Sequence, residues 1–100
     1  MTKQVLEIVE FKLKDGVSVD QFIEATQATA KFVTELEGFI SRKTCRNDAD
    51  LWMDVVQWKD IATANAAAVK FSQAEEVGPM MSMINGETVR MLHLPVENEM

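Results

Sequence analysis

The chain has 100 residues, 47% of them apolar, with 16 acidic against 10 basic side chains and a net charge of −6. One domain over residues 1–100 is expected, and an acidic chain without a basic run excludes a nucleic-acid backbone as partner. No run approaches the roughly 18 apolar residues of a membrane span, and Glu7 and Glu10 interrupt the stretch where a signal peptide would need its apolar region.

Residues 5–14 alternate as a strand. Val5, Val9, Phe11 and Leu13 share one face with Glu7 among them, while Leu6 and Ile8 lie on the other. Asp15-Gly16 then turns the chain into a helix predicted over residues 18–37. Ser18 is placed as its N-cap, Gln21 completes a capping box, and Val17 and Phe22 are spaced for a hydrophobic staple. Phe22, Ile23, Thr26, Ala30, Val33 and Leu36 form the apolar stripe, and Gly38 is the expected stop.

Residues 39–46 read as a strand whose Arg42, Lys43 and Arg46 suit a sheet edge. It carries Cys45, the only cysteine, which fits a reducing cytoplasm. Asn47 to Asp50 supply a turn. In the next strand, residues 51–59, Leu51, Met53 and Val55 occupy one face and Trp52, Asp54, Val56 and Trp58 the other. Asp60 caps an alanine-rich helix over residues 61–85, which Gly78-Pro79 is expected to break or kink. Asn85-Gly86 turns into a last strand, residues 87–94, and residues from about 96 to 100 are left as a flexible or partner-contacting tail.

Strand, helix, strand, strand, helix, strand predicts an α+β, ferredoxin-like βαββαβ domain: a four-stranded antiparallel sheet with both helices on one face. Strands one and three are apolar on both faces, so one side of the sheet is left in need of cover. At about 25 cal/mol per Å2, burying that surface is worth several kcal/mol. A homodimer packed sheet to sheet is therefore expected, through Leu6, Ile8, Trp52, Asp54, Val56 and Trp58. Asp54 would bridge the interface, with Arg42 as its partner.

Three segments carry a resemblance: EIVEFKLKDGVSVDQF (residues 7–22), ELEGF (residues 35–39) and VVQWKD (residues 55–60) before a helix. They make the chain resemble the dimeric α/β-barrel superfamily. Within it the chain is similar to the antibiotic biosynthesis monooxygenase-like domains and, at its N-terminus, to the stress-responsive α/β-barrel proteins. The resemblance implies a dimeric α/β barrel, in a superfamily that spans monooxygenases, isomerases, cyclases, haem-degrading enzymes and proteins without known activity. The asparagine, tryptophan and histidine of haem-degrading members fall on Val9, Ala67 and Val77, which argues against haem degradation. Where the stress-responsive group often has a histidine in its first strand, this chain has Glu7.

Two residues are candidates for acid–base chemistry. His93 is the only histidine, and imidazole exchanges protons near neutral pH. Its bland reading is a partly exposed strand residue. Glu7 sits on an otherwise apolar face, either as an acid or base at a pocket edge or as one half of an ion pair, with Arg90 a possible partner. One histidine and one cysteine without ligand spacing make no metal site, and no cofactor is expected. Val9, Phe11, Phe22, Met53, Phe71, Met80 and Met83 are expected to line a substrate cavity beneath the second helix, against the plainer alternative that the methionines are core filler.

The expected ligand is thus a small apolar or aromatic molecule. The best-fitting reaction is cofactor-independent oxygenation of a phenol or quinol, whose own anion reacts with oxygen. The alternatives are a non-catalytic dimeric binding or assembly module, or an isomerase or cyclase using the same pocket. A cavity reached by Glu7 or His93 would favour catalysis, and a filled core the binding module.

Overall fold

The computed structural model describes residues 2–100. Strand β1 (Val5–Leu13) leads into two short helices, α1 (Val19–Gln27) and α2 (Ala30–Thr34). Strands β2 (Phe39–Arg46) and β3 (Trp52–Trp58) follow, then α3 (Ile61–Gln73), a single 3-10 turn (Glu75–Val77), α4 (Gly78–Ser82) and β4 (Ile84–Pro95). The strands form one sheet in the order β2-β3-β1-β4, every neighbouring pair antiparallel. This is the ferredoxin-like βαββαβ fold.

Local chemistry accounts for the element ends. The Gln21 N–H donates to Ser18 Oγ at 3.1 Å and the Ser18 N–H to Gln21 Oε1 at 2.9 Å, which closes the capping box. Gly38 adopts φ +84°, and a side chain there would collide with Thr63. The Asn47 side-chain oxygen accepts from the Ala49 and Leu51 N–H groups and so builds the β2–β3 turn. Asp60 receives the Thr63 N–H at 2.8 Å, and that bond together with the Thr63 hydroxyl holds its carboxyl below the usual aspartate value.

The helices depart from the sequence expectation in two places. The helix expected over residues 18–37 divides after Gln27, because the Thr26 and Thr29 hydroxyls donate back to the Phe22 and Thr26 carbonyls. The stripe shifts with the break: Ala25 and Thr29 become buried and Ala30 is exposed. The second helix ends at Ala74, which is extended with ψ 129°, five residues before the proline. Pro79 instead lies in the first turn of α4, where its fixed φ helps a helix start and its missing N–H costs nothing.

The last strand also begins earlier than expected. Asn85-Gly86 lies inside β4, beside an irregularity where Glu10 pairs with Arg90 but Lys12 with Asn85. Thr88 holds this bulge by accepting the Lys12 N–H at 2.9 Å and donating to the Asn85 carbonyl at 2.6 Å. Beyond β4, the Val96 N–H donates to the Gln4 carbonyl at 2.8 Å and Glu97 pairs with Lys3, so the tail runs along the start of β1.

The facing of β3 is a correction. β1 pairs Val5 with Trp58, Glu7 with Val56, Val9 with Asp54 and Phe11 with Trp52, and residues directly opposite share a face. Trp52, Val56 and Trp58 therefore point with Phe11 towards the helices, where they are 3%, 5% and 3% exposed. They are core residues of one chain and not the expected dimer interface. Phe11, Phe22 and Trp52 form an aromatic cluster, with the Phe22–Trp52 edge contact at 4.8 Å. Val56 and Trp58 pack against Ala64 and Ala67, with Leu36 and Phe39 at the margin. Asp54 also faces inward and pairs with Arg42 of its own chain, so it bridges no interface.

Met53 moves the other way. Opposite Glu10 and Cys45, it lies on the outer face, away from any space beneath the helices. That face carries Leu6 opposite Leu94, and Ile8 between Val55 and Leu92. Leu92 and Leu94 are 38% and 43% exposed.

Candidate functional site: a cavity bordered by Glu7

On the inner face, cross-strand pairing lines up one row of residues over all four strands: Arg42, Val56, Glu7, His93. The next row reads Thr44, Asp54, Val9, Met91. Two polar groups thus stand on the sheet floor, separated by Val56 and Val9. With strands about 4.8 Å apart, Glu7 lies about 10 Å from Arg42 across the floor.

Above this floor is a cavity of about 490 Å3, of a size that holds a small organic molecule. Val9, Phe11, Val56 and Trp58 line it from below. Phe22, Val33 and Leu36 enclose it from the α1–α2 side, and Ala67, Ala68, Phe71, Ala74, Val77 and Met80 from the α3–α4 side. Val89 and Met91 of β4 and Met81 of α4 stand at its margin, each of them exposed. The polar groups on its wall are Glu7, Arg42, Asp54 and Ser72.

Each charged group on that wall has a partner. The Arg42 Nε and Nη2 donate to the two Asp54 oxygens at 2.8–3.1 Å, and Nη1 donates to the Thr29 hydroxyl at 2.9 Å. Met80 Sδ lies 3.6 Å from Nη2. The Arg42 and Asp54 side chains are 12% and 14% exposed, which makes this a largely buried two-pronged pair. It is a fixed feature of the wall rather than a spare cation.

Glu7 Oε2 lies 2.7 Å from His93 Nε2. An ionised carboxylate only accepts, so with Glu7 ionised the proton sits on Nε2 and the imidazole donates. The partner is thus His93 and not Arg90, which lies opposite Glu10 on the outer face. Glu7 borders the cavity, while His93 stands behind it on β4. This pair can accept a proton from a hydroxyl in the cavity and spread the charge over imidazole and carboxylate.

Of the expected lining residues, Val9, Phe11, Phe22, Phe71 and Met80 border the cavity. Met83 packs against the aromatic core cluster instead. Arg42, Asp54 and Trp58 belong to the cavity wall and were not expected there. The signal that could have found them is the pairing of β3 with β1, which local alternation does not carry. Among the described residues no three His, Cys, Asp or Glu side chains gather to hold a metal ion, and no helix is long and apolar enough to cross a membrane.

No family model and no curated protein sequence matches the chain. Solved structures do. SnoaB, a cofactor-independent oxygenase from Streptomyces nogalater, superposes with a TM-score of 0.78 at 13% identity, over 97% of this chain and 96% of that one. A candidate antibiotic biosynthesis monooxygenase from Bordetella bronchiseptica gives 0.75 at 15% identity, over 98% of both chains. A dimeric ferredoxin-like protein of unknown function from Thermobifida fusca gives 0.74 at 11% identity, over 96% and 93%. The fold of this chain is the one these proteins share.

Proposed function

We propose that the chain binds a small aromatic molecule in the 490 Å3 cavity and oxygenates it without a cofactor, with Glu7 as the base and His93 orienting it. The observation that carries this reading is a proton-accepting pair at the border of a cavity whose wall is otherwise mostly apolar. The fold shared with a cofactor-independent oxygenase supports it by analogy.

In the proposed step, Glu7 takes the hydroxyl proton of a phenol. The anion passes one electron to dioxygen, the two radicals combine at a ring carbon, and the peroxide loses water to leave a carbonyl. One phenol and one dioxygen become one quinone and one water. The apolar wall keeps bulk water from quenching the anion. With 1-naphthol as substrate, Glu7→Gln should lower oxygen consumption by about 10²–10⁴-fold, as removal of a positioned general base does. His93→Gln, which can still hydrogen-bond Glu7, should cost less. Oxygen uptake by Glu7→Gln at the wild-type rate would leave a binding protein without this chemistry.

The working unit in this proposal is a homodimer packed through the outer face of the sheet, on Leu6, Ile8, Val55, Leu92 and Leu94. Aliphatic side chains in neighbouring rows of an exposed sheet face support it. The dimeric ferredoxin-like neighbour from Thermobifida fusca supports it by analogy.

A further inference from the structure

Strand β4 changes face part-way along its length. Ile84 pairs with Leu13 and is buried in the core. Beyond the irregularity it is Met91 and His93 that face inward, opposite Val9 and Glu7. Between the two, five residue steps on β4, Asn85 to Arg90, lie against two on β1, Glu10 to Lys12. β4 therefore carries three surplus residues, and an odd surplus turns the strand over. A strand alternating without interruption from Ile84 would present Arg90, Leu92 and Leu94 to the helices and His93 to the outer face.

Hydrophobicity does not choose between these two arrangements. Val89 and Met91 on the cavity side and Leu92 and Leu94 on the other are all between 38% and 49% exposed. Register is strongly specified where one face is buried, and here both faces of the strand are apolar and half open. Side-chain bonds must therefore hold it. Apart from Glu7–His93 itself, those joining these segments among the described residues come from Glu97 and Thr88. The Lys3–Glu97 ion pair is exposed and holds weakly. Thr88 stands at the irregularity itself, accepting the Lys12 N–H at 2.9 Å and donating to the Asn85 carbonyl at 2.6 Å.

We infer that Thr88 is a positioning residue for the site: its hydroxyl clasps the surplus residues of β4 and fixes the register in which His93 meets Glu7. The inference rests on the reading of Glu7 and His93 as the proton-accepting pair and adds the residue that sets them opposite each other. Thr88 touches neither of them. It acts along the strand, because a slip of one residue at the clasp moves every side chain beyond it to the other face. Glu7 would then stand opposite Leu92 or Leu94, with no group to orient it.

The test uses the only histidine as its own reporter, in protein labelled with 15N at histidine. Glu7→Gln should move the His93 Nε2 signal, which marks that signal as the pair's. Thr88→Val keeps the shape and drops the hydroxyl. It should move the same signal and lower oxygen consumption with 1-naphthol about tenfold, and Thr88→Ser should restore both. A second variant deletes residues 86–88 and with them the surplus. Asn85 and Val89 can then follow one ladder with Lys12 and Phe11, so His93 should meet Glu7 without any clasp and give the wild-type signal. An unmoved His93 signal in Thr88→Val, or a displaced one in the deletion variant, would overturn the Thr88 assignment. A signal that moves as expected, with no oxygen uptake by wild type, would uphold the assignment and overturn the oxygenation reading.

Discussion

The two faces of the sheet each carry what the other would be expected to hold: charged pairs beside the core on the covered side, and aliphatic residues among polar ones on the uncovered side. The inner face, covered by helices, carries Arg42, Asp54, Glu7 and His93, while the outer face carries Leu6, Ile8, Val55, Leu92 and Leu94. A polar group under a helical layer is tolerated only if it is paired, and each of these is. What separates them is purpose. The Arg42–Asp54 pair also binds Thr29 and ties the layers together, whereas the Glu7–His93 pair reaches from the cavity wall to the last strand. The outer face has the opposite problem, aliphatic surface without cover.

The contrast can be broken most severely from the inside. Arg42→Ala leaves the Asp54 charge buried alone and should cost about 3–5 kcal/mol in urea unfolding. Pairing it with Asp54→Leu should recover most of that loss, since the stranded charge, not the missing contact, is the main cost. From the outside, Ile8→Lys should leave the fold intact and weaken self-association about a hundredfold, read by light scattering during size exclusion. A wild-type chain that is monomeric at micromolar concentration would end the sheet-to-sheet proposal.

The smallest effect lies on neither face. Asp60 caps α3 with its carboxyl held below the usual value by Thr63. The unfolded chain binds that proton more readily, so the cap's contribution is full above the ordinary aspartate range and fades as pH falls through the lowered value. Asp60→Asn keeps a capping side chain and should flatten the acid side of the stability–pH curve, with little change at pH 7.

Much of the fold was legible because its signals are local. Ser18 with Gln21, Gly38, the Asn47 turn and Asp60 each act over four residues or fewer. β1 was legible too, since one face keeps Val5, Val9, Phe11 and Leu13 along its whole length around Glu7, while the other turns polar at Glu10 and Lys12. β3 was not: Leu51, Met53 and Val55 on one side rival Trp52, Val56 and Trp58 on the other. Alternation says that two faces exist, and pairing with Phe11 and Val5 says which one is covered. That misassignment concealed Arg42, Asp54 and Trp58 as cavity residues. The Glu7–His93 contact spans 86 residues of sequence, so each side chain could be singled out but not their meeting. Pro79 misled for a different reason, since the same residue that interrupts a helix also begins one.

Thr29 gives the break between α1 and α2 a mechanical consequence. It has no exposure, its hydroxyl donates to the Thr26 carbonyl, and it accepts from Arg42 on the sheet. A hinge at that point would strip a guanidinium of a partner away from water, so these two helices travel with the strands beneath them. On the opposite flank, the extended Ala74 joins α3 to the 3-10 turn through backbone hydrogen bonds of 3.3 Å to Phe71 and from Val77. The roof of the cavity is thus tied to the sheet by a buried side-chain contact on the α1–α2 side, whereas on the other side the backbone at Ala74 makes the link between α3 and the next turn.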